Sequence, residues 1–136
     1  EPHIKQVEKM EEIFQTCDII TMHLPLLKET KNLIDNKFLS LMKKDALLIN
    51  ASRGGILNEE DLIKALKENQ IRGAALDVFS EEPLADNSPL RKVPNLVLTP
   101  HLGASTAESQ KRVGEMVLDQ LEKFFVHNTL LNEVKA

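Results

Sequence analysis

The stretch DALLINASRGGILN, residues 45–58, decides how the rest of the chain is read. Its apolar run Ala46-Leu47-Leu48-Ile49 is continuous rather than alternating, the pattern of a strand covered on both faces. The run closes in small polar residues, Asn50-Ala51-Ser52, and then sets Arg53 directly before Gly54 and Gly55. A guanidinium is always charged, so at the tip of a buried strand it needs either a surface salt bridge or an anion to hold.

Working outward, three more short apolar runs appear: 18–22 (DIITM), 73–78 (GAALDV) and 95–99 (NLVLT). Helical patterns separate the first three strands. Asp35 is placed to cap a short helix bearing Phe38, Leu39 and Met42, and Asn58 to cap a second. The second carries Glu59, Glu60 and Asp61 at its positive end and Leu62, Ile63 and Leu66 on one face, and Asn69 stops it by accepting a left-handed conformation. Strand and helix in alternation predict an α/β fold with a parallel sheet and right-handed crossovers. Val7 to Gln15 reads as an amphipathic helix, and Ser80 to Pro94, with Pro83, Pro89 and Pro94, as a structured loop after the third strand. Ser105 and Glu108 form a capping box for a longer helix, whose stripe of Val113, Met116, Val117, Leu121, Phe124 and Phe125 reaches about residue 126 and is expected to pack away from the sheet.

Composition narrows the function classes. The 136 residues are 42% hydrophobic with a net charge of −4, enough for one folded core, and the scattered basic residues make no nucleic-acid surface. No apolar run approaches the roughly 18 residues of a membrane span. The single cysteine, Cys17, excludes an internal disulfide and fits a reducing compartment; beside Ile19-Ile20 it reads as a small packed hydrophobe rather than a nucleophile. His3 and His127 sit in polar termini and are expected to be solvated.

Ligands of open α/β sheets bind outside the carboxyl ends of the strands, so the chemistry belongs there. The first strand runs into His23-Leu24-Pro25, the second into Arg53-Gly54-Gly55, the third into Glu81-Glu82-Pro83 and the fourth into Pro100-His101. Arg53 offers a bidentate fork for a carboxylate, His101 exchanges a proton near neutral pH, and a carboxylate at Glu82 favours the imidazolium and orients the ring. Together they suit oxidation of a 2-hydroxy acid. Taken singly, each has a plainer reading: a surface ion pair for Arg53, a solvated loop charge for Glu82, a turn cap for His101. His23 stands evenly between backbone support and cofactor contact.

Four linked segments carry a family resemblance: CDIITMHLPLLKETKNLI (17–34), KKDALLINASRGGILNEEDLIKAL (43–66), GAALDVFSEEP (73–83) and NLVLTPHLGASTAESQ (95–110). In this order and spacing, which span nearly all of 17–126, the chain resembles the D-isomer-specific 2-hydroxyacid dehydrogenases. The resemblance implies the second half of a Rossmann-like, doubly wound parallel sheet over 1–104, a connecting helix over 105–127, and over 128–136 the start of a return to a substrate domain. It implies that Arg53 binds the substrate carboxylate, His101 is the acid/base and Glu82 supports it. Around an NAD cofactor it places Leu24 and Pro25 along the dinucleotide, Thr30 capping that segment, Ala51, Arg53, His101 and Gly103 near the nicotinamide, and Asp77 on its carboxamide. No metal is implied.

The implied activity is NAD-dependent oxidation of a D-2-hydroxy acid, 3-phospho-D-glycerate being favoured, in a cytoplasmic homodimer or higher homo-oligomer without nucleic-acid or membrane partners. A reductase of glyoxylate or hydroxypyruvate, and an NAD-sensing corepressor, are the alternatives within the family fold. The family's substrate domain and its G-x-G-x-x-G turn, which cradles the pyrophosphate, have no counterpart among the five glycines here. The chain is therefore expected to be the nicotinamide-side half of a longer enzyme, beginning just after an acidic strand end of which Glu1 would be the remnant and ending near the natural end of a short form. Alone it is expected to be inactive and to bind NAD weakly or not at all, with the first strand presenting an open apolar edge.

Overall fold

β1 (Ile19–Met22), β2 (Leu47–Asn50), β3 (Gly73–Leu76) and β4 (Leu96–Leu98) form one parallel sheet in the order of the chain. They belong to a computed structural model that describes residues 3–134; Glu1 and the last two residues of the expected return segment lie outside the described residues. Neighbouring strands are in direct register, with Ile20 beside Leu48, Leu48 beside Ala74 and Ala74 beside Leu96. Side chains alternate across a strand, so Ile20, Leu48 and Ala74 share one face with Met22, Asn50 and Leu76. All six of these are buried.

The opposite face is a correction to the expectation of two-sided cover. Ile19 at one edge is 60% exposed and Val97 at the other 62%, whereas Leu48 is 0% exposed. The reason is topological. Right-handed crossovers between strands laid down in chain order put every connecting helix on the same side of a sheet. Accordingly Phe38, Leu39, Leu62 and Leu66, from the two helices that connect β1 to β2 and β2 to β3, join the core cluster of the buried face, and Phe14 of the helix before β1 joins them. Each fully buried leucine there contributes about 1.5–3 kcal/mol.

Local capping chemistry sets those helices. In α2 (Asn36–Leu39) Asp35 accepts from the Lys37 and Phe38 amides, at 3.0 and 3.3 Å. Asn58 accepts from the Asp61 amide at 3.1 Å to start α3 (Glu59–Lys67), and Asn69 follows with φ 52°. α1 is shorter than expected, Met10–Thr16 rather than 7–15, because Lys9 at its start has no side-chain acceptor to cap it. Its Phe14 ring lies 5.0 Å from that of Phe38. The loop after β3 holds a short 3₁₀ turn, Pro89–Lys92, capped by Ser88.

The chain divides into two compact units, one ending at His101 and the other beginning at Leu102. The second unit is built on α4 (Ala107–His127), none of whose residues is buried. Its cap is Thr106, which accepts from the Ser109 amide at 3.1 Å, so the expected Ser105–Glu108 box is displaced by one residue. Asn128, at φ 49°, ends the helix. Among the described residues no helix is long and apolar enough to cross a membrane.

Candidate active site

The carboxyl ends of all four strands point to one edge of the first unit, as parallel strands must. At β1, the His23 Nε2 atom lies 3.0 Å from the Thr21 hydroxyl. The chain then turns through exposed Leu24 and Pro25; the Thr30 hydroxyl accepts from the Leu27 amide and donates to the Pro25 carbonyl, both at 2.7 Å, which closes the turn. At β2, the Asn50 side chain organises the next three residues, Ala51 is exposed, and the Arg53 guanidinium donates to the Ser52 carbonyl at 2.7 Å. Gly54 lies against the Phe79 carbonyl so closely that a Cβ there would fall 1.7 Å from the oxygen. This contact ties the Arg53 loop to the loop that follows β3.

At β3, the Asp77 amide donates to the Asn50 carbonyl at 2.9 Å, and the Asp77 carboxylate accepts from the Thr99 hydroxyl at the end of β4. Two residues further on, the Phe79 amide donates to Glu82 Oε1 at 2.9 Å and the Ser80 amide to Glu59 Oε1 at 2.6 Å. The second carboxylate oxygen, Glu82 Oε2, lies 2.7 Å from His101 Nδ1. Glu82 is thus a bridge between a backbone amide and an imidazole. His101 has φ 55°, a left-handed conformation that non-glycine residues rarely adopt and that costs on the order of 1 kcal/mol or more. Its own amide, bonded to the Thr99 carbonyl at 3.1 Å, holds the ring's approach.

A cavity of about 500 Å³ opens beside this pair, lined by Phe79, Glu82, Leu84, Arg91, Thr99 and His101 among others. Arg91 is anchored to the carbonyls of Ala85 and Leu84 at 3.0 and 2.9 Å. Arg53 is not part of this lining; its loop meets the cavity wall through Gly54 and Phe79. Gly103 belongs to the second unit, where it is exposed. Three residues at the site escaped the sequence reading: Asn50, Thr99 and Arg91. Asn50 had a signal, an amide closing an apolar run just before a turn; the other two had none.

The Glu82 carboxyl is held below the usual carboxylate range, first by its hydrogen bond with His101 and then by the Phe79 amide. A depressed carboxylate contributes stability above its unfolded pKa, and that contribution fades as pH falls through the folded value. Urea unfolding of the chain and of Glu82→Gln at pH values from 7 downward should therefore show a wild-type advantage near pH 6 that shrinks once pH falls below the ordinary carboxylate range. A constant difference across that range would mean that the carboxylate charge is not what the site uses.

Comparison with known proteins identifies the family. Residues 1–103 match the family model described as D-isomer specific 2-hydroxyacid dehydrogenase, NAD binding domain. The chain is 46% identical over 120 residues to D-3-phosphoglycerate dehydrogenase of Methanocaldococcus jannaschii, covering 88% of this chain and 23% of that protein. It is also 46% identical over 112 residues to glyoxylate reductase of Thermofilum pendens, covering 82% of this chain and 33% of the relative. The NAD-dependent formate dehydrogenase of Staphylococcus aureus, solved in complex with NAD, superposes with a TM-score of 0.80 at 37% identity over 94% of this chain and 40% of its own. The chain thus spans about a quarter to a third of the length of those two curated relatives.

Proposed function

This chain belongs to the D-isomer specific 2-hydroxyacid dehydrogenase family through its NAD-binding domain, and we propose that the protein carrying it oxidises a D-2-hydroxy acid, with 3-phospho-D-glycerate as the favoured substrate and 3-phosphohydroxypyruvate as the product. The observation that carries the reading is the 2.7 Å contact of His101 Nδ1 with Glu82 Oε2. With Nδ1–H donated to Glu82, Nε2 is the ring nitrogen that takes the proton from the substrate hydroxyl. The imidazolium so formed faces a carboxylate already anchored by the Phe79 amide, so no reorganisation is needed to stabilise it. Arg53, exposed at the end of β2, exchanges its bond to the Ser52 carbonyl for a bidentate pair with the substrate carboxylate.

The residues present fit the nicotinamide side of NAD. Asp77, set by the Thr99 hydroxyl at a strand end, offers a fixed acceptor to a carboxamide, and Leu24, 37% exposed, offers apolar surface with Pro25 beside it. Ala51, Arg53 and His101 contribute to the same cofactor, and Thr30 holds the Leu24–Pro25 turn. When bound, NAD supplies the acceptor for the hydride that leaves C2 of the substrate. In this reading 1–104 is part of the nucleotide-binding domain, 105–127 connects it to a substrate domain, 128–136 begins the return, and the whole works as a cytoplasmic homodimer or higher homo-oligomer in serine biosynthesis.

Glyoxylate reduction is the second reading, favoured by the similarity to the Thermofilum pendens glyoxylate reductase. Measuring kcat/KM with NADH for 3-phosphohydroxypyruvate and for glyoxylate, in a complete protein carrying this domain, separates the two. We expect the phosphorylated keto acid to be preferred by about a hundredfold; equal or reversed preference would move the assignment to glyoxylate.

A further inference from the structure

Among the described residues Asn50 is the buried polar side chain, 2% exposed at the end of a strand that is otherwise Leu47-Leu48-Ile49. A leucine would suit the burial better, since an amide out of water is costly unless every polar atom is bonded. Here both ends of the amide are used. Oδ1 accepts from the Ser52 amide at 3.1 Å and the Ser52 hydroxyl at 3.0 Å, while Nδ2 donates to the Arg53 carbonyl at 2.9 Å. One side chain therefore fixes the peptide units on both sides of Ser52 and Arg53. Its backbone is fixed in turn, because the Asn50 carbonyl accepts from the Asp77 amide at 2.9 Å. Just beyond, Gly54 abuts the Phe79 carbonyl, so the segment between Asn50 and Gly54 is pinned at both ends with the Arg53 side chain left exposed.

We propose that Asn50 is a positioning residue for Arg53: its buried amide sets the direction in which the guanidinium leaves the end of β2 to meet the substrate carboxylate. The inference rests on the reading of Arg53 as the carboxylate clamp. Asn50 touches neither substrate nor cofactor; it acts through the backbone of Ser52 and Arg53. In Asn50→Asp the shape and the acceptor survive, but an oxygen replaces Nδ2 and faces the Arg53 carbonyl, so the loop must turn. Ser52→Ala removes only the hydroxyl bond at a half-buried position, where folding is secure.

The test is a mutant cycle in a complete protein carrying this domain, with KM for the 2-hydroxy acid, kcat and the NADH dissociation constant measured for each variant. Asn50→Asp should raise KM about tenfold and Ser52→Ala about threefold, the sizes expected for one lost hydrogen bond, with kcat and NADH affinity little changed. On an Arg53→Ala background neither should raise KM further, because the group they position is gone. Effects that multiply independently of Arg53 would overturn the inference and leave the clamp standing. An unchanged KM in Arg53→Ala alone would instead overturn the clamp, and the inference with it. Should Asn50→Asp fail to fold, Ser52→Ala completes the same cycle with Arg53→Ala and separates the same two outcomes.

Discussion

Replacing His101 by alanine in a complete protein carrying this domain should lower kcat by about two to four orders of magnitude, the usual weight of a positioned acid/base, and leave NADH affinity within about threefold. The expectation follows from what the ring does and what it leaves undone. Its Nδ1 is engaged with Glu82, so its chemical use lies at Nε2. His101 is 48% exposed in its side chain and lines an open cavity, so alanine removes little packing. The backbone stays where it is: the amide keeps its bond to the Thr99 carbonyl, and alanine at φ 55° is strained about as much as histidine. Glu82 loses one partner but keeps the Phe79 amide. Fold and cofactor surface should therefore survive while proton transfer does not. Glu82→Gln should be milder: its single oxygen can still accept from the ring, but its NH2 then faces the Phe79 amide and the charge that stabilises the imidazolium is lost. A His101→Ala protein with wild-type kcat would end the acid/base assignment.

How much of this was legible before any coordinates depends on whether the cause was local. The caps at Asp35 and Asn58 fell where the sequence placed them, because a side chain bonding an amide two or three residues ahead is a local event. The start of α4 was misread by one residue for the same reason turned around: ASTAES offers two overlapping caps, Ser105 with Glu108 and Thr106 with Ser109, and local chemistry does not choose between them. One-sided cover of the sheet was out of reach, since continuous apolar runs report burial without saying which face is covered. That depends on strands adding in chain order. At the site, the strand-end positions of Arg53, Asp77 and His101 follow from the runs that precede them. Glu82 is different. Its contact with His101 spans 19 positions of sequence, across the 3₁₀ turn and β4, and the Phe79 amide that fixes its other oxygen has no periodicity to announce it. Residue chemistry and the family resemblance named the pair; only three-dimensional structure could give its distance.

Gly54→Ala is expected to destabilise the chain by on the order of 3 kcal/mol, the upper range for forcing an extra methyl into a packed site. The new Cβ would fall 1.7 Å from the Phe79 carbonyl oxygen, 2.2 Å from its carbon and 2.9 Å from the Ser80 nitrogen, all of them backbone atoms that cannot rotate aside. One of two loops must yield. The loop after β3 is held by Glu82 on the Phe79 amide and Glu59 on the Ser80 amide. The loop after β2 is held by Asn50 on Ser52 and Arg53. Movement of the first separates Glu82 from His101, and movement of the second redirects Arg53, so the substitution should impair the proposed reaction beyond its cost in stability. Gly114→Ala supplies the contrast: within α4, where the added carbon meets nothing inside 4 Å beyond its chain neighbours and the helix's own backbone, it should stabilise the helix by about 0.5–1 kcal/mol. Urea unfolding of both variants reads the difference directly. A cost below about 0.5 kcal/mol at Gly54, the size of an ordinary surface change, would mean that the two strand-end loops do not press on one another, and that Arg53 and Glu82 are not held in a common frame by this glycine.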